Sequence, residues 1–250
     1  MVLHIVLAAL LLAIPGGMLY LLDRKMLGSF FIATARMVVQ LLVLCLMMWG
    51  LMKYDRWWMS LLWVVAMTGY AAFIAKQKMK SVKSGMIMPI GLGLLAGILS
   101  VGLYLLLFAL PAEKAFESRW FIPVMMLLLG HSLTTTMRGM NTYLSALKTD
   151  AEQYEFQRGN GASHLKAVMP FVRRAFLAVM SPTVANLQST ALYAMPLLLC
   201  GFFIAGVQPM NAFVVMVMLV VGCVSASVVS LVTALWFADR KLFDSFGKLR

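Results

Sequence analysis

Acidic residues are scarce in this chain. Its 250 residues hold nine Asp and Glu against 21 Lys and Arg, a formal net charge of +12, and charged residues make up only 12%. Soluble domains carry about 25%. Because 62% of the chain is apolar, a soluble domain of this size could not hide it. An ordinary soluble domain and a disordered chain are both excluded. Cysteine is equally sparse. Cys45, Cys200 and Cys223 all sit in apolar runs, which excludes a disulfide framework and reads as small hydrophobes in packing. The apolar runs are continuous rather than alternating, so a β-barrel is excluded. No HExxH helix and no P-loop occur, so neither zincin-type proteolysis nor P-loop nucleotide hydrolysis is supported. Asp and Glu are nearly absent from the apolar runs. That removes an acidic proton relay and a carboxylate metal cage.

What is present is a series of seven apolar runs, at about 2–22, 29–52, 57–75, 86–111, 120–140, 176–206 and 212–237. About 20 apolar residues span a bilayer as a helix. The expected fold is therefore all-α: a polytopic membrane protein of about seven transmembrane helices, forming a single permease-sized domain over 1–250. The first run lacks a basic leader, and Pro15-Gly16-Gly17 is a poor cleavage site. It reads as a first span. Fifteen basic residues fall in the segments after spans 1, 3, 5 and 7, against four (Lys53, Arg56, Lys114 and Arg119) in the other loops. The positive-inside rule then sets the amino terminus outside and the carboxyl terminus in the cytoplasm. This spread along alternate loops is a topology signal rather than a nucleic-acid footprint, so no nucleic-acid partner is expected.

Most loops are short. Residues 141–175 form the exception, a polar cytoplasmic stretch carrying Asp150, Glu152, Glu155, Arg158 and Lys166. It is the one sizeable surface for a cytoplasmic partner, although a helical extension with a turn would also account for it. Polar groups inside the spans are the other anomaly. Arg36 and Gln40 lie four apart on one face of span 2. Arg36 either faces an aqueous path or snorkels to the interface. In span 5, His131, Thr134, Thr135, Arg138, Asn141, Thr142 and Ser145 recur at three- and four-residue steps. Such a stripe marks a pore-facing surface or interhelical hydrogen bonding. Span 6 reads as broken at Pro182 and Pro196, with Asn186, Gln188, Ser189, Thr190 and Tyr193 between them. Broken helices line many transport sites.

Three further features have mainly structural readings. The 22 methionines suit adaptable packing better than a thioether copper site, since their pairs are adjacent rather than convergent. Gly91, Gly93, Gly97 and Gly102 in span 4 suit close helix approach, within the chain or across a dimer. Gly161-Ala162-Ser163-His164 has a superficial likeness to a serine nucleophile turn but lacks the full GxSxG pattern and a preceding strand.

Glu155-Phe156-Gln157-Arg158-Gly159-Asn160-Gly161-Ala162-Ser163, with Pro170 beyond, resembles the EAA loop of ABC transporter permeases. Phe156-Gln157 stand where paired alanines are usual. Between Arg36 and Phe243 the chain also resembles the UPF0014 family of membrane permeases. The likeness rests on Ala35-Arg36-Met37-Val38-Val39-Gln40-Leu41, Ile122-Pro123 with Gly130, and Pro182-Thr183-Val184. Pro196, Gly201 and Ala205-Gly206-Val207-Gln208-Pro209 follow at similar spacing. The resemblance implies a non-enzymatic permease subunit of an ATP-driven exporter in a bacterial cytoplasmic (inner) membrane. Two copies would pair with two separate cytoplasmic ABC ATPase subunits, which would bind the ATP and Mg. No cofactor is implied in this chain. Coupling would run through Glu155, Arg158, Gly159, Gly161 and Ser163. The cargo path would use Arg36, Gln40, His131, Thr135, Arg138, Asn186, Gln188 and Pro196. Iron or another metal is the family's suggested cargo, and no metal ligands can be assigned. The chain departs from the family pattern at Ala185, Gln188 and Leu197-Leu198-Leu199, near the expected path. An Arg-lined path with few acids also admits a chelated metal or an anionic cargo. The alternative is a non-transporting seven-span sensor or assembly scaffold.

Overall fold

The computed structural model describes residues 10–22, 24–54, 56–79, 86–109, 116–189 and 195–243. The described chain is helical and divides after Tyr54 into two compact units.

The first unit contains α1 (Ala13–Leu22) and α2 (Arg24–Tyr54), which pack together. Gly16 is buried, and a Cβ there would lie 3.7 Å from the Phe31 ring. Arg24 donates to the Tyr20 hydroxyl at 3.1 Å and stacks over its ring at 4.6 Å. At about 1.5 Å per residue, α1 is some 15 Å long and α2 some 46 Å. Only α2 exceeds the roughly 30 Å apolar thickness of a bilayer. The first expected span, 2–22, is thus described in its second half only.

The second unit contains α3 (Trp57–Lys78), α4 (Ile87–Tyr104, continued by a π-turn at Leu105–Ala109), α5 (Ser118–Thr149), α6 (Ala151–Gly159), α7 (His164–Gln188), α8 (Met195–Ile204) and α9 (Pro209–Leu242). Across both units, six of the described helices are long and apolar enough to cross a membrane. The protein is a polytopic, all-helical membrane protein. In a bilayer, helices gain little from hiding apolar surface from one another, so close contact must hold them together. The α9 helix supplies it with a stripe of small buried residues: Ala226, Ser230, Ala234 and Ala238. Opposite them lies the glycine face of α4. A Cβ on Gly93 would lie 2.6 Å from that of Ala234, and one on Gly97 would lie 2.6 Å from the Ala226 carbonyl oxygen. The span-4 glycines therefore pack within this chain. Gly91 faces Ala72 of α3, and Gly102 faces Met125 of α5. Buried Ser60 and Ser118 join the starts of α3 and α5 at 2.9 Å.

Two expected boundaries change. Span 5 does not end at 140. Its helix continues to Thr149, because Ala146 and Leu147 keep burying one face after the other face turns polar. Span 6 does not begin at 176. Its helix starts at His164 and runs through both Pro170 and Pro182 to Gln188. The stretch 141–175 therefore contracts to 150–163 outside the long helices. Pro182 does not interrupt the helix, since one proline removes a single backbone donor, a loss that a membrane helix can accommodate. The helix ends at Ser189, and Pro196 sits in the first turn of α8. Thr190 and Tyr193 lie outside the described residues. After α8, Gly206 takes a φ of +79°, which favours glycine, and Pro209 opens α9 at its first turn.

Candidate functional site

Two features of the second unit carry chemistry: a polar cleft pair along α5, and the short helix α6 with its anchor.

The cleft pair grows from the heptad-like spacing of α5. Phe121, Met125, Leu128, Ser132, Thr136, Met140, Tyr143 and Leu147 are buried toward the other helices. The remaining face carries His131, Thr134, Thr135, Arg138 and Asn141. A narrow cleft of about 140 Å³ lies between α5 and α7. His131, Thr134, Thr135 and Arg138 line one wall; Val179, Pro182, Thr183 and Asn186 line the other. A wider cleft of about 510 Å³ lies between α5 and the end of α3, where Lys78 and Met79 join Thr134, Met137, Arg138 and Asn141. Arg138 and Thr134 belong to both. The guanidinium is thus kept beside open space, which a charge within a span requires. The threonines are internally engaged. Thr134 and Thr135 donate to the His131 carbonyl at 2.9 and 3.1 Å, and Thr183 donates to the Val179 carbonyl at 2.7 Å. The Nε2 atom of His131 is buried and has no partner among the described residues.

The sequence-expected path residues therefore separate. His131, Thr135, Arg138 and Asn186 share one cleft. Gln188, two residues beyond Asn186, is exposed near the end of α7 and does not line it. Pro196 belongs to α8. Arg36 and Gln40 are exposed on α2 in the first unit.

The second feature is α6, nine residues long and packed against α5 and α7. Its one buried residue is Tyr154, while Glu152, Glu155 and Phe156 are exposed, Phe156 to 71%. Gly159 ends the helix. Gly161 turns the chain at φ +79°, and the exposed Ser163 stands just before α7. Arg158 points into this turn, donating to the Ala162 carbonyl at 3.0 Å. At the other end, Asp150 forms an ion pair with Arg174 of α7.

Beneath α6 runs a polar chain that sequence reasoning missed. Tyr154 Oη lies 2.9 Å from His164 Nδ1, His164 Nε2 lies 2.9 Å from Asp239 Oδ2, and Tyr143 donates to Asp239 Oδ1 at 3.1 Å. Phe243 closes it, with ring centroids 4.9 Å from Tyr154 and 4.7 Å from His164. Burial, helped by the Asp239 charge, pushes the Tyr154 phenol above its ordinary range, although nearby Arg158 opposes the shift. With His164 as the neutral Nε2–H tautomer, the phenol donates to Nδ1. The His164 Nε2–H then donates to the carboxylate. Each link has a matched donor and acceptor, and α5, α6, α7 and α9 are joined by one chain. Both nitrogens of His164 are engaged, so neither can activate neighbouring Ser163. The nucleophile-like turn is an anchor. Its signal in sequence was faint: His164 and Asp239 are 75 residues apart, and only folding brings them together.

Among the described residues no group of three His, Cys, Asp or Glu side chains could hold a metal ion. Cys45 and Cys200 are exposed and Cys223 is buried. All three thiols are free.

Comparison with known proteins finds distant relatives over most of the chain. The chain is 24% identical over 223 residues to Protein ALUMINUM SENSITIVE 3 of Arabidopsis thaliana, covering 89% of this chain and 80% of that one. It is 21% identical over 217 residues to the probable iron export permease protein FetB of Escherichia coli (strain K12), covering 87% and 82%. It is 24% identical over 223 residues to the membrane protein STAR2 of Oryza sativa subsp. japonica, covering 89% and 76%. No solved structure matches it. The model of the uncharacterised protein family UPF0014 matches residues 2–243, nearly the whole chain, and the protein belongs to that family.

Proposed function

We propose that this chain is the permease subunit of an ATP-driven exporter, coupled through α6 to a separate cytoplasmic ATPase. One observation carries the reading. The α6 helix exposes Glu152, Glu155 and Phe156 while a continuous polar chain ties its buried side to three long helices. A helix that receives force from a partner needs such a tie, because an unanchored helix would shift without moving the bundle. The likeness to a probable iron export permease supports the same direction. In this reading two copies of the chain pair with two ATPases, which supply ATP and Mg. The basic loops face the cytoplasm, with the amino terminus outside. ATPase closure pulls on α6, and the tie through His164 and Asp239 passes the movement to α9 and α5. The clefts around Arg138 line the cargo path. The cargo is iron, another metal or a metal complex.

The test is capture of a separate cytoplasmic ABC ATPase, sought first among the reading frames next to this one. Wild-type protein should copurify with it and stimulate ATP hydrolysis. Glu155→Ala combined with Gly161→Pro should abolish both while the protein still inserts. Proline cannot adopt the positive φ of Gly161, so the turn presenting α6 would be lost. Unchanged stimulation by the double variant would remove the coupling assignment.

A further inference from the structure

Among the described residues, two cations and no acid line the clefts that meet at Arg138, and this sets the charge of what they can hold. We propose that the clefts form one binding site for an anionic, oxygen-rich molecule, free or carrying a metal ion, rather than for a bare metal cation. The proposal names the cargo class for the path assigned above and so rests on that reading.

Lys78 and Arg138 both line the wider cleft, and neither cleft has an Asp or Glu among its described lining residues. A hard cation there would meet like charge and lack the carboxylate oxygens that replace its water shell. An anion would find the opposite. The Arg138 guanidinium offers a planar fork that matches a carboxylate or phosphate edge, and Lys78 adds a point charge. Asn141 contributes an amide to the same cleft. The threonine hydroxyls donate to their own helix carbonyls, which leaves recognition to the charged donors. On the narrow side, the buried Nε2 of His131 is unpartnered among the described residues. It is a further donor whenever it carries the proton. The wider cleft, at about 510 Å³, has the size of a site for a small polyacid rather than for a single ion.

The experiment uses the purified full chain in detergent and three probes: citrate, ferric citrate and ferrous ion alone. Binding is read by equilibrium titration and by the thermal-unfolding midpoint. Citrate and ferric citrate should both bind and raise the midpoint, more weakly as salt is added, and ferrous ion alone should do neither. Arg138→Gln should weaken citrate binding about tenfold or more, and Arg138→Lys should restore part of it. Lys78→Gln, at an exposed helix end, gives a second reading should Arg138→Gln fail to fold. Tighter binding of ferric citrate than of citrate identifies the chelate as the preferred form. The proposal is overturned if ferrous ion binds in place of citrate, if both Gln variants bind citrate like the wild type, or if neither anion binds. ATPase capture through α6 is a separate measurement. Capture without anion binding removes only this site, and anion binding without capture removes only the transporter reading.

Discussion

A methyl group at Gly97 would sit 2.6 Å from the Ala226 carbonyl oxygen and 2.8 Å from the Ser230 nitrogen. Both neighbours are backbone atoms of a long helix and cannot step aside. Gly97→Val should therefore cost about 1–3 kcal/mol of stability through overpacking, read as a lower unfolding midpoint in detergent. Gly130→Ala is the matched control, since a Cβ there meets nothing within 4 Å among the described residues. It should leave the midpoint unchanged or slightly raised. Equal effects at the two sites would mean that the α4–α9 seam is not the close contact described. The same scale separates the two arginines that topology leaves unexplained. Arg36 and Arg138 look alike in a hydropathy scan. Arg138 lies between two clefts lined by named partners, whereas Arg36 is exposed on a helix of the first unit.

Among the elements, α6 has little intrinsic reason to persist. Nine residues are too few for a stable isolated helix in water, and it buries only one side chain. Its stability must come from the Tyr154–His164–Asp239–Tyr143 chain and the Asp150–Arg174 pair at its start. Removing the shared acceptor by Asp239→Ala leaves two donors without a partner, a loss of about 1–3 kcal/mol. Amide exchange over Ala151–Gly159 should then rise about tenfold or more, and ATPase stimulation should fall. The bundle midpoint should change less. Tyr143→Phe removes one link only and should fall between wild type and Asp239→Ala. If exchange over α6 does not change in either variant, the chain is not its anchor.

For the whole molecule, the distribution of basic residues predicts the orientation of every loop. Ser163 is exposed in the turn between α6 and α7, so one cysteine there reports a side. With Cys45, Cys200 and Cys223 replaced by Ala, Ser163→Cys should react with a membrane-impermeant maleimide in inside-out vesicles and not in right-side-out ones. The reverse pattern would place α6 away from any cytoplasmic ATPase and defeat the coupling reading at once.

Composition and apolar run length alone determined that the chain is a polytopic helical membrane protein. A bilayer imposes one-dimensional rules, in which about 20 apolar residues make a span and cations sort to one side. The i, i+3, i+4 stripe holding His131 and Arg138 was legible for the same reason, since helical period is a local property. Helix ends were less so. The α5 and α7 helices continue past their apolar segments because packing on one face, at Leu147 and Ala167 for example, sustains a helix that hydropathy no longer marks. The partners of that stripe, the fit of Gly97 into α9 and the pairing of His164 with Asp239 were decided only in three dimensions. Each joins residues far apart in sequence, and no local pattern encodes which helix face will meet which.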